Sequence, residues 1–239
     1  MQNDFSVVVP VRSGSERVKN KNFKTFYSSA FGVNFSLLSW KLNQLSKIFL
    51  KNNIIVSSDS ELAFDISRDF GVRFVPRPSN LALSDTPFHE MIKYSTSLVN
   101  TRYMVWAPVT SPFFSPLEMK QYVNEFIKLS EVDKNSGLIA ASEETSYFLL
   151  ESEPVNFGLG PLHPRTQDMK PFQKWDWAFS IRNLNAVKSN SYMIGESPIV
   201  KVISQFSNFD IDDELDFKMA QCLIDLYLEL NSGENSFEL

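Results

Sequence analysis

Cysteine, histidine and glycine are scarce in this sequence of 239 residues, which has one, two and eight of them. The single Cys222 excludes a disulfide framework, and because it lies in a stretch with helical periodicity we expect a buried thiol. A lone histidine is more often structural or solvated than catalytic, and we expect such a role for His89 and His163. With so few glycines, each one in a loop is more informative than usual.

Long apolar runs and a positive net charge are missing as well. No apolar run reaches about 18 residues, and the N-terminus lacks the charged region, apolar core and cleavage site of a signal peptide. We therefore expect a cytoplasmic protein without membrane association. The net charge of −5 and the isoelectric point near 5.2 argue against a nucleic-acid-binding protein, whose domain would carry a basic surface.

The first 145 residues alternate between strand-like and helix-like patterns. Residues 5–11 form a near-continuous apolar run, typical of a strand buried on both faces of a parallel sheet. Helical spacing begins near residue 36. Capping-box pairs at Ser58 and Glu61 and at Ser115 and Glu118, together with Thr86 followed by Pro87, predict further helix starts, and each precedes another strand-like run. Strands that alternate with helices predict an α/β fold, a mostly parallel sheet with helices on both faces.

The alternation stops between residues 146 and 183. This stretch holds four prolines and two of the four tryptophans, Trp175 and Trp177. Packing or a dimer contact suits the two rings better than stacking on a sugar. The stretch is thus predicted to leave the sheet, as a β-rich flap or a dimerisation arm. A strand near 199–204, an acidic turn and a final helix are predicted to follow it.

A basic loop follows the first predicted strand. The segment VPVRSGSERVKNKNFK, residues 9–24, carries five cations and one acid on an acidic protein. Ligands of open α/β sheets bind beyond the carboxyl ends of the strands, usually in the first strand-to-helix loop. Residues that could grip a polyphosphate through backbone N–H groups and positive charge are Arg12, Ser13, Gly14, Ser15, Arg17 and Lys21. A solvated charge run is the alternative, but the position favours a phosphate site. The motifs GxxxxGK[ST] and GxGxxG are absent, which excludes the two common phosphate-loop families.

Two aspartates, Asp210 and Asp212, stand at alternate positions near the C-terminus. Such a pair can share a metal ion directly or through waters, and Mg²⁺ with hard oxygen ligands suits a nucleoside triphosphate. The alternative is a helix start, with Asp212 or Asp213 as the N-cap and acids near the positive end of the helix dipole. By themselves these residues favour the helix start, whereas a phosphate loop opposite them favours the metal.

Six segments resemble, in the same order, those of the acylneuraminate cytidylyltransferases, the CMP-sialic acid synthetase family. The basic loop resembles the signature R-x-G-S-K-x-x-x-x-K-N, with matches at Arg12, Gly14, Ser15, Lys21 and Asn22. The later segments are IVSSDSE, RPSNLALSD, TSPF, RTQDM and DIDDELDF, which begin at residues 55, 77, 110, 165 and 210. No single motif decides the resemblance, but six in register are a strong signal.

The resemblance implies a mostly parallel, Rossmann-like nucleotidyltransferase core at residues 1–145 and 184–239. It implies an inserted, β-rich dimerisation and acceptor arm at residues 146–183. The implied enzyme transfers CMP from CTP to a hydroxyl of an acidic sugar, nonulosonic or related, and releases pyrophosphate. Mg²⁺ as the cofactor and a homodimer are implied as well.

The family's site residues carry over to the matching positions of this chain. The resemblance implies Arg12, Gly14, Ser15, Lys21, Asn22 and Arg77 as nucleotide-binding residues, and the charge and position of the loop add Ser13 and Arg17. Asp210 and Asp212 are the implied metal ligands. Arg12 and Lys21 are expected to stabilise charge in the transition state and the leaving group. The nucleophile is expected to lose its proton to metal-bound hydroxide or to Asp212. The arm residues implied in acceptor binding, in a site that a dimer could complete, are Arg165, Gln167 and Asp168.

Several positions depart from the family pattern. Glu16 stands where the loop usually has a cation. On the acceptor side, Pro108 and Val109 replace the Gln or Asn that commonly precedes T-S-P. In an ungapped alignment of the arm, Asp176 replaces Asn and Trp177 replaces Gly. A large side chain at a glycine position predicts an acceptor pocket of changed shape.

Three alternatives remain open. One is a nucleotidyltransferase for another acceptor, such as a ketodeoxy sugar acid or a sugar or alditol phosphate. Another is a glycosyltransferase, although its D-x-D usually follows a strand in mid-chain and it lacks the basic loop. The last is a non-catalytic nucleotide-binding relative, which the departures at Glu16, Pro108 and Trp177 would fit.

Overall fold

The computed structural model describes residues 2–15, 17–28, 32–130, 137–175 and 177–231. The strands are β1 (Phe5–Pro10), β2 (Thr25–Ser28), β3 (Val33–Ser36), β4 (Ile54–Ser58), β5 (Arg73–Pro76), β6 (Tyr103–Trp106), β7 (Leu138–Glu144), β8 (Leu149–Leu150), β9 (Glu153–Pro154), β10 (Phe172–Lys174), β11 (Ser180–Asn183) and β12 (Ile199–Val202). The helices are α1 (Leu37–Ser46), α2 (Glu61–Phe70), α3 (Phe88–Leu98), α4 (Pro116–Ser130), α5 (Leu184–Asn190) and α6 (Glu214–Leu230).

Eight of the strands form one central sheet in the order β10-β7-β11-β6-β1-β4-β5, with β12 beside β7. The pairs β1–β4, β1–β6, β4–β5 and β7–β12 are parallel. Strand β11 pairs antiparallel with β6 and β7, and β10 pairs antiparallel with β7. The predicted mostly parallel α/β sheet is confirmed.

Helices cover both faces of the sheet, because the inner strands are apolar on both sides. Val7 and Val9 of β1 belong to one buried cluster, together with residues of α1, α4 and α6. Val8, which points to the other face, joins Ile92 of α3 and Val187 of α5 in a second cluster. The predicted two-sided burial is therefore confirmed.

Several helix boundaries follow from local signals in the sequence. Ser36 caps α1, and its hydroxyl accepts a hydrogen bond from the Ser39 amide. Before α4, the Ser115 hydroxyl accepts from the Glu118 amide at 3.2 Å and the Glu118 carboxylate accepts from the Ser115 amide at 3.0 Å, which confirms the predicted capping box. Gly71 ends α2 with a φ of 66°, a left-handed conformation that glycine adopts without strain.

Two local predictions are wrong. The predicted capping box of Ser58 and Glu61 does not form, because Ser60 occupies the N-cap of α2 and the Ser58 hydroxyl accepts from the Ser60 amide instead. Cys222 is exposed rather than buried. The buried side chains of α6 include Ala220 and Ile224, and a residue midway between such positions faces outward on a helix.

Residues 146–183 leave the sheet and then return to it. Strands β8 and β9 form a separate two-stranded ribbon. From Phe172 onward, β10 and β11 belong to the central sheet, and β11 lies between β6 and β7. The division into a core and an inserted arm stays a prediction. None of the helices in the described ranges combines the length and hydrophobicity needed for a membrane span.

Candidate active site

A cavity of about 510 Å³ opens at the carboxyl ends of β1, β5 and β6. This is the edge at which the sequence predicted a ligand site. The charged and polar residues of its wall include Arg12, Ser15, Arg17, Lys21, Asn22, Arg77 and Asp212. The apolar part of the wall includes Phe88, Met91, Trp106, Pro108 and Val109. The cavity thus has a charged and polar side, rich in cations, and an apolar side.

The basic loop reaches the cavity through a tight local fold. Asn20 adopts a left-handed conformation with φ 55°, and the short 3-10 helix Lys21–Phe23 follows it. The Asn22 side chain donates a hydrogen bond to the Arg12 carbonyl oxygen at 3.0 Å. Val18 is buried and anchors the middle of the loop in the core. These contacts turn Lys21 and Arg12 toward the same cavity.

The start of the loop is tied to the end of β4. Ser13 donates two hydrogen bonds to the Asp59 carboxylate, from its amide at 2.9 Å and from its hydroxyl at 2.6 Å. Partial burial acts to raise the pKa of Asp59, but these bonds outweigh it, so the pKa lies below its ordinary value. A Cβ atom on Gly14 would meet no neighbour within 4 Å, so the loop leaves open space there for a ligand's oxygens.

Arg77 lies at the base of the cavity and is 7% exposed. Its guanidinium donates a hydrogen bond to the Ser57 carbonyl oxygen at 2.5 Å and another to Met91 Sδ at 3.7 Å. Burial lowers the pKa of Arg77 from its ordinary value, while the charge of Asp59 opposes that shift. The side chain is therefore held by the end of β4 before any ligand arrives.

Lys21 connects the basic loop to the acidic segment at 210–212. Its ammonium donates a hydrogen bond to the Ile211 carbonyl oxygen. Burial lowers the pKa of Lys21, and the carboxylates of Asp210 and Asp212 oppose the shift, whereas nearby Arg17 adds to it. The structure thus brings together the loop cations and the aspartates that the sequence placed almost 190 residues apart.

The helix-start alternative applies to Asp213 and not to Asp212. The Asp213 carboxylate accepts hydrogen bonds from the Leu215 and Asp216 amides, and Asp216 completes a capping box. Asp212 instead faces the cavity, where Arg17 donates to its carboxylate at 2.7 Å. Both partners of this ion pair are more than half exposed, which makes the pair weak and exchangeable.

Asp210 and Asp212 line different cavities. Asp210 lines a separate cavity of about 300 Å³, and it accepts a hydrogen bond from the Ser111 hydroxyl at 3.4 Å. Within the described residues, no three or more Asp, Glu, His or Cys side chains come together as a metal cage. Mg²⁺ bound to a nucleotide is held by one or two carboxylates plus phosphate oxygens. The carboxylates at 210–212 therefore match such an ion in ligand type and number.

Comparison with known proteins matches residues 6–155 to the family model described as cytidylyltransferase. The chain belongs to the cytidylyltransferase family. The N-acylneuraminate cytidylyltransferases of Escherichia coli and Streptococcus agalactiae are 24% and 25% identical to it, over 98% and 88% of this chain. The chain spans only 57% and 51% of the lengths of these two relatives.

The solved structures show the same fold. A CMP:2-keto-3-deoxy-manno-octonic acid synthetase, solved in complex with CTP, matches with a TM-score of 0.63 and 10% identity. The match covers 93% of this chain and 98% of that protein. At this level of identity the likeness shows the fold alone, and it confirms the predicted Rossmann-like nucleotidyltransferase architecture.

The sequence did not identify two residues that hold this family member's site together. Asp59 lies in the IVSSDSE segment, but its hydrogen bond with Ser13 has no local signal in the sequence. Lys41, on α1, is fully buried and donates a hydrogen bond to the Ser111 carbonyl oxygen at 2.7 Å. Burial lowers the pKa of Lys41 to about 7, although the charge of Asp210 opposes the shift. A lysine on an amphipathic helix ordinarily indicates a solvated position.

The predicted acceptor residues lie on the arm. Arg165 donates to both carboxylate oxygens of Asp168, at 2.7 and 3.1 Å, and both side chains are exposed, as is Gln167. Among the described residues, the wall of the 510 Å³ cavity includes none of these three. Within one chain, then, the arm residues and the basic loop are not brought into one site. His163 packs against Tyr147 on the same arm, with ring centroids 4.4 Å apart.

The departures on the acceptor side reach the cavity wall. Pro108 and Val109 line the cavity where a longer polar side chain was expected from the family. The Trp177 ring packs against Phe88, with centroids 4.5 Å apart, and Phe88 lines the same cavity. Packing is therefore the observed role of Trp177. Glu16 and Asp176, the other two departures, lie outside the described residues.

Proposed function

We propose that this chain transfers CMP from CTP to a hydroxyl of an acidic sugar, a nonulosonic acid or a relative of one, and releases pyrophosphate. The observation that carries the proposal is the meeting of Arg12, Lys21 and Arg77 with Asp212 in one cavity at the end of strand β1. Membership of the cytidylyltransferase family and the names of the two bacterial relatives support the donor and the acceptor class.

The proposed reaction is an in-line displacement. The acceptor hydroxyl forms a bond to the α-phosphorus of CTP while the bond to the β-phosphate bridging oxygen breaks, and pyrophosphate leaves with the electron pair. Positioned cations supply most of the catalysis in such chemistry, and we assign that role to Arg12 and Lys21. Lys21 is partly buried, which lowers its pKa, and the reduced solvation lets its charge act more strongly on phosphate oxygens than it would in bulk water.

We assign proposed roles to the other site residues as well. The backbone and side chains at Ser13, Gly14 and Ser15 are proposed to border the phosphates, with Arg17 and Asn22 beside them. Arg77, fixed at the base of the cavity, is proposed to contact the nucleotide. Mg²⁺, when bound, would neutralise phosphate charge, and a carboxylate at 210–212 would hold it. The proton of the attacking hydroxyl needs an acceptor, for which Asp212 is the carboxylate at the cavity wall.

The acceptor side is proposed to require a homodimer. Arg165, Gln167 and Asp168 are exposed on the arm of one chain, so a partner subunit could receive them at its own cavity. Arg165 would pair with the carboxylate of the sugar acid in exchange for its exposed partner Asp168. The proposed donor is CTP, which cells make in the cytoplasm, and we propose that the enzyme works there.

The test is pyrophosphate release from CTP and Mg²⁺ across a panel of sugar acids, with ATP, GTP and UTP as donor controls. The panel contains an N-acylneuraminic acid, a deoxy N-acyl nonulosonic acid, a ketodeoxyoctonic acid and a neutral hexose. Release that needs both CTP and one of the acids, with a CMP conjugate in the products, supports the proposal. Binding of CTP without turnover of any acid would favour a non-catalytic relative, and turnover of a nucleotide sugar would favour a glycosyltransferase.

A further inference from the structure

Lys41 poses an energetic problem that the fold must solve. Its side chain has no exposed surface, and its ammonium donates to the Ser111 carbonyl oxygen at 2.7 Å. A carbonyl oxygen satisfies one donor but supplies no net charge, and a buried charge without a counter-charge is strongly destabilising. A fully buried lysine in a folded protein is therefore expected to have a carboxylate nearby.

Asp210 is that carboxylate. Within the described part of the chain, it is the acidic side chain whose charge acts on Lys41. Ser111 connects the two residues, because its carbonyl oxygen accepts from Lys41 while its hydroxyl donates to the Asp210 carboxylate at 3.4 Å. Among the charged groups near Lys21, Asp210 also has the largest effect on the pKa of that lysine, which it raises. Two lysines, one from the basic loop and one from α1, thus lie around one aspartate.

Asp212 has different surroundings. Its observed cationic partner is Arg17, and 66% of the Arg17 side chain and 55% of the Asp212 side chain are exposed. Water and salt screen such a pair, so an incoming ligand can replace it at little cost. The charge of Asp210 is balanced from inside the protein, whereas that of Asp212 is available at the wall of the nucleotide cavity.

We propose that Asp210 is the internal counter-ion of Lys41 and positions the 210–212 segment, and that Asp212 is the carboxylate that meets the nucleotide-bound metal ion. The inference deepens the proposed function and rests on it for the metal. It assigns different roles to two aspartates that the sequence treats alike. Lys41 and Asp210 are positioning residues in this assignment, because neither is required to touch the nucleotide.

A double-mutant cycle tests the pairing. The variants are Lys41→Met, Asp210→Asn and the two combined, and thermal unfolding is measured below pH 7, where the ammonium carries its charge. Asp210→Asn leaves a buried cation without its counter-charge, and we expect the unfolding temperature to fall by about 5–10 °C. The double variant removes both charges, and we expect it to be more stable than Asp210→Asn alone. If Lys41→Met changes the unfolding temperature by the same amount in the wild type and in Asp210→Asn, the two residues are not coupled and the pairing is overturned.

Metal binding tests the division of roles. Mn²⁺ replaces Mg²⁺ as the probe, and its binding in the presence of CTP is followed by electron paramagnetic resonance. We expect the Lys41→Met/Asp210→Asn variant to keep its Mn²⁺ affinity within about twofold of the wild type, whereas Asp212→Asn loses roughly tenfold or more. If the double variant lost as much Mn²⁺ affinity as Asp212→Asn, Asp210 would be a metal ligand and the inference would be overturned.

A control variant distinguishes a stability change caused by the loss of charge from one caused by a general loosening of the turn at Ser111 and Pro112. Gln44 lies one turn along α1 from Lys41, is buried, and donates to the Pro112 carbonyl oxygen at 2.9 Å. Gln44→Met removes a hydrogen bond to the same turn without changing any charge, and combining it with Asp210→Asn should restore no stability. If the wild type itself binds neither CTP nor Mn²⁺ with CTP, the proposed function fails, while the unfolding cycle still decides whether Lys41 and Asp210 are a pair.

Discussion

The Ser13 amide and the Ser13 hydroxyl both donate to one carboxylate, that of Asp59, at 2.9 and 2.6 Å. The two bonds join the loop after β1 to the residue that follows β4. Asp59 also acts electrostatically on Arg77, which lies at the base of the same cavity. The position of the basic loop therefore depends on Asp59, a residue that is not part of the described wall of the cavity.

Replacing Asp59 is expected to weaken CTP binding. Asp59→Ala removes both bonds to Ser13 and lets the start of the loop move, so we expect the Kd for CTP to rise about fivefold, equivalent to about 1 kcal/mol. Isothermal titration calorimetry with CTP measures this Kd. Asp65→Ala is the matched control, since Asp65 forms an exposed ion pair with Arg68 on α2 outside the cavity. Equal CTP affinities for the two variants would show that Ser13 does not need this anchor.

The same carboxylate predicts a dependence of stability on pH. The pKa of Asp59 lies below its ordinary value of 3.8, because Ser13 hydrogen-bonds to the ionised form. A lowered pKa in the folded state means that the stabilisation is fully present above pH 3.8 and disappears as the pH falls through the lowered value. We expect the stability difference between the wild type and Asp59→Asn to shrink on acidification. Denaturant unfolding at several pH values measures it, and a difference that grows toward low pH would contradict the assignment.

Local sequence signals predicted much of the fold. The serine caps before α1 and α4 and Gly71 after α2 each act within one helical turn, so a short stretch of sequence contains the whole signal. Strand β11 was not predicted, because it enters the sheet between β6 and β7 through pairing with residues far away in the sequence. Cys222 was mispredicted because burial was inferred from the residue type, although the helical spacing of Ala220 and Ile224 already places a residue midway between them on the outer face of α6.

The candidate site was predictable where it matches a contiguous motif. Arg12, Lys21 and Asn22 belong to one loop, and the structure places them together with Arg77 and Asp212 at one cavity. Lys41 was not predictable, because the sequence shows only a lysine on a helix, and its burial depends on a turn 70 residues later. Contacts at such separations leave no periodicity or spacing in the chain.

Two neighbouring aspartates allow a matched test of the cavity wall. Asp212 faces the cavity, whereas Asp213 caps α6. We expect Asp212→Ala to lower turnover by roughly 100-fold or more, because it removes the carboxylate proposed to meet the metal or the proton. We expect Asp213→Ala to keep turnover and to cost about 1 kcal/mol of stability through loss of the cap. Steady-state kinetics and thermal unfolding of both variants check these expectations. Equal losses of turnover in the two variants would show that Asp212 has no catalytic role that Asp213 lacks.

Arg165 tests the proposed role of the arm. Its ion pair with Asp168 is exposed, so Arg165→Ala should change the free energy of unfolding by less than about 1 kcal/mol. If the guanidinium binds the carboxylate of the sugar acid, the KM for the acceptor should rise by roughly tenfold or more while the KM for CTP stays constant, because charge-assisted bonds to a carboxylate are worth about 1.5–3 kcal/mol. Lys170→Ala removes another exposed cation of the arm and serves as the control.

The same variant tests whether the site is completed by a second subunit. Within one chain the described wall of the cavity does not include Arg165, so an acceptor contact by this residue requires the arm of a partner. Mixing Arg165→Ala with Asp212→Ala subunits should then restore activity, because a mixed dimer contains one cavity with an intact Asp212 that receives an intact arm. Activity of the mixture is measured against each variant alone at equal total concentration. A mixture no more active than the sum of its two components would contradict a site shared between subunits. It would mean that Arg165 and Asp212 act at the cavity of the same chain, or that Arg165 does not bind the acceptor.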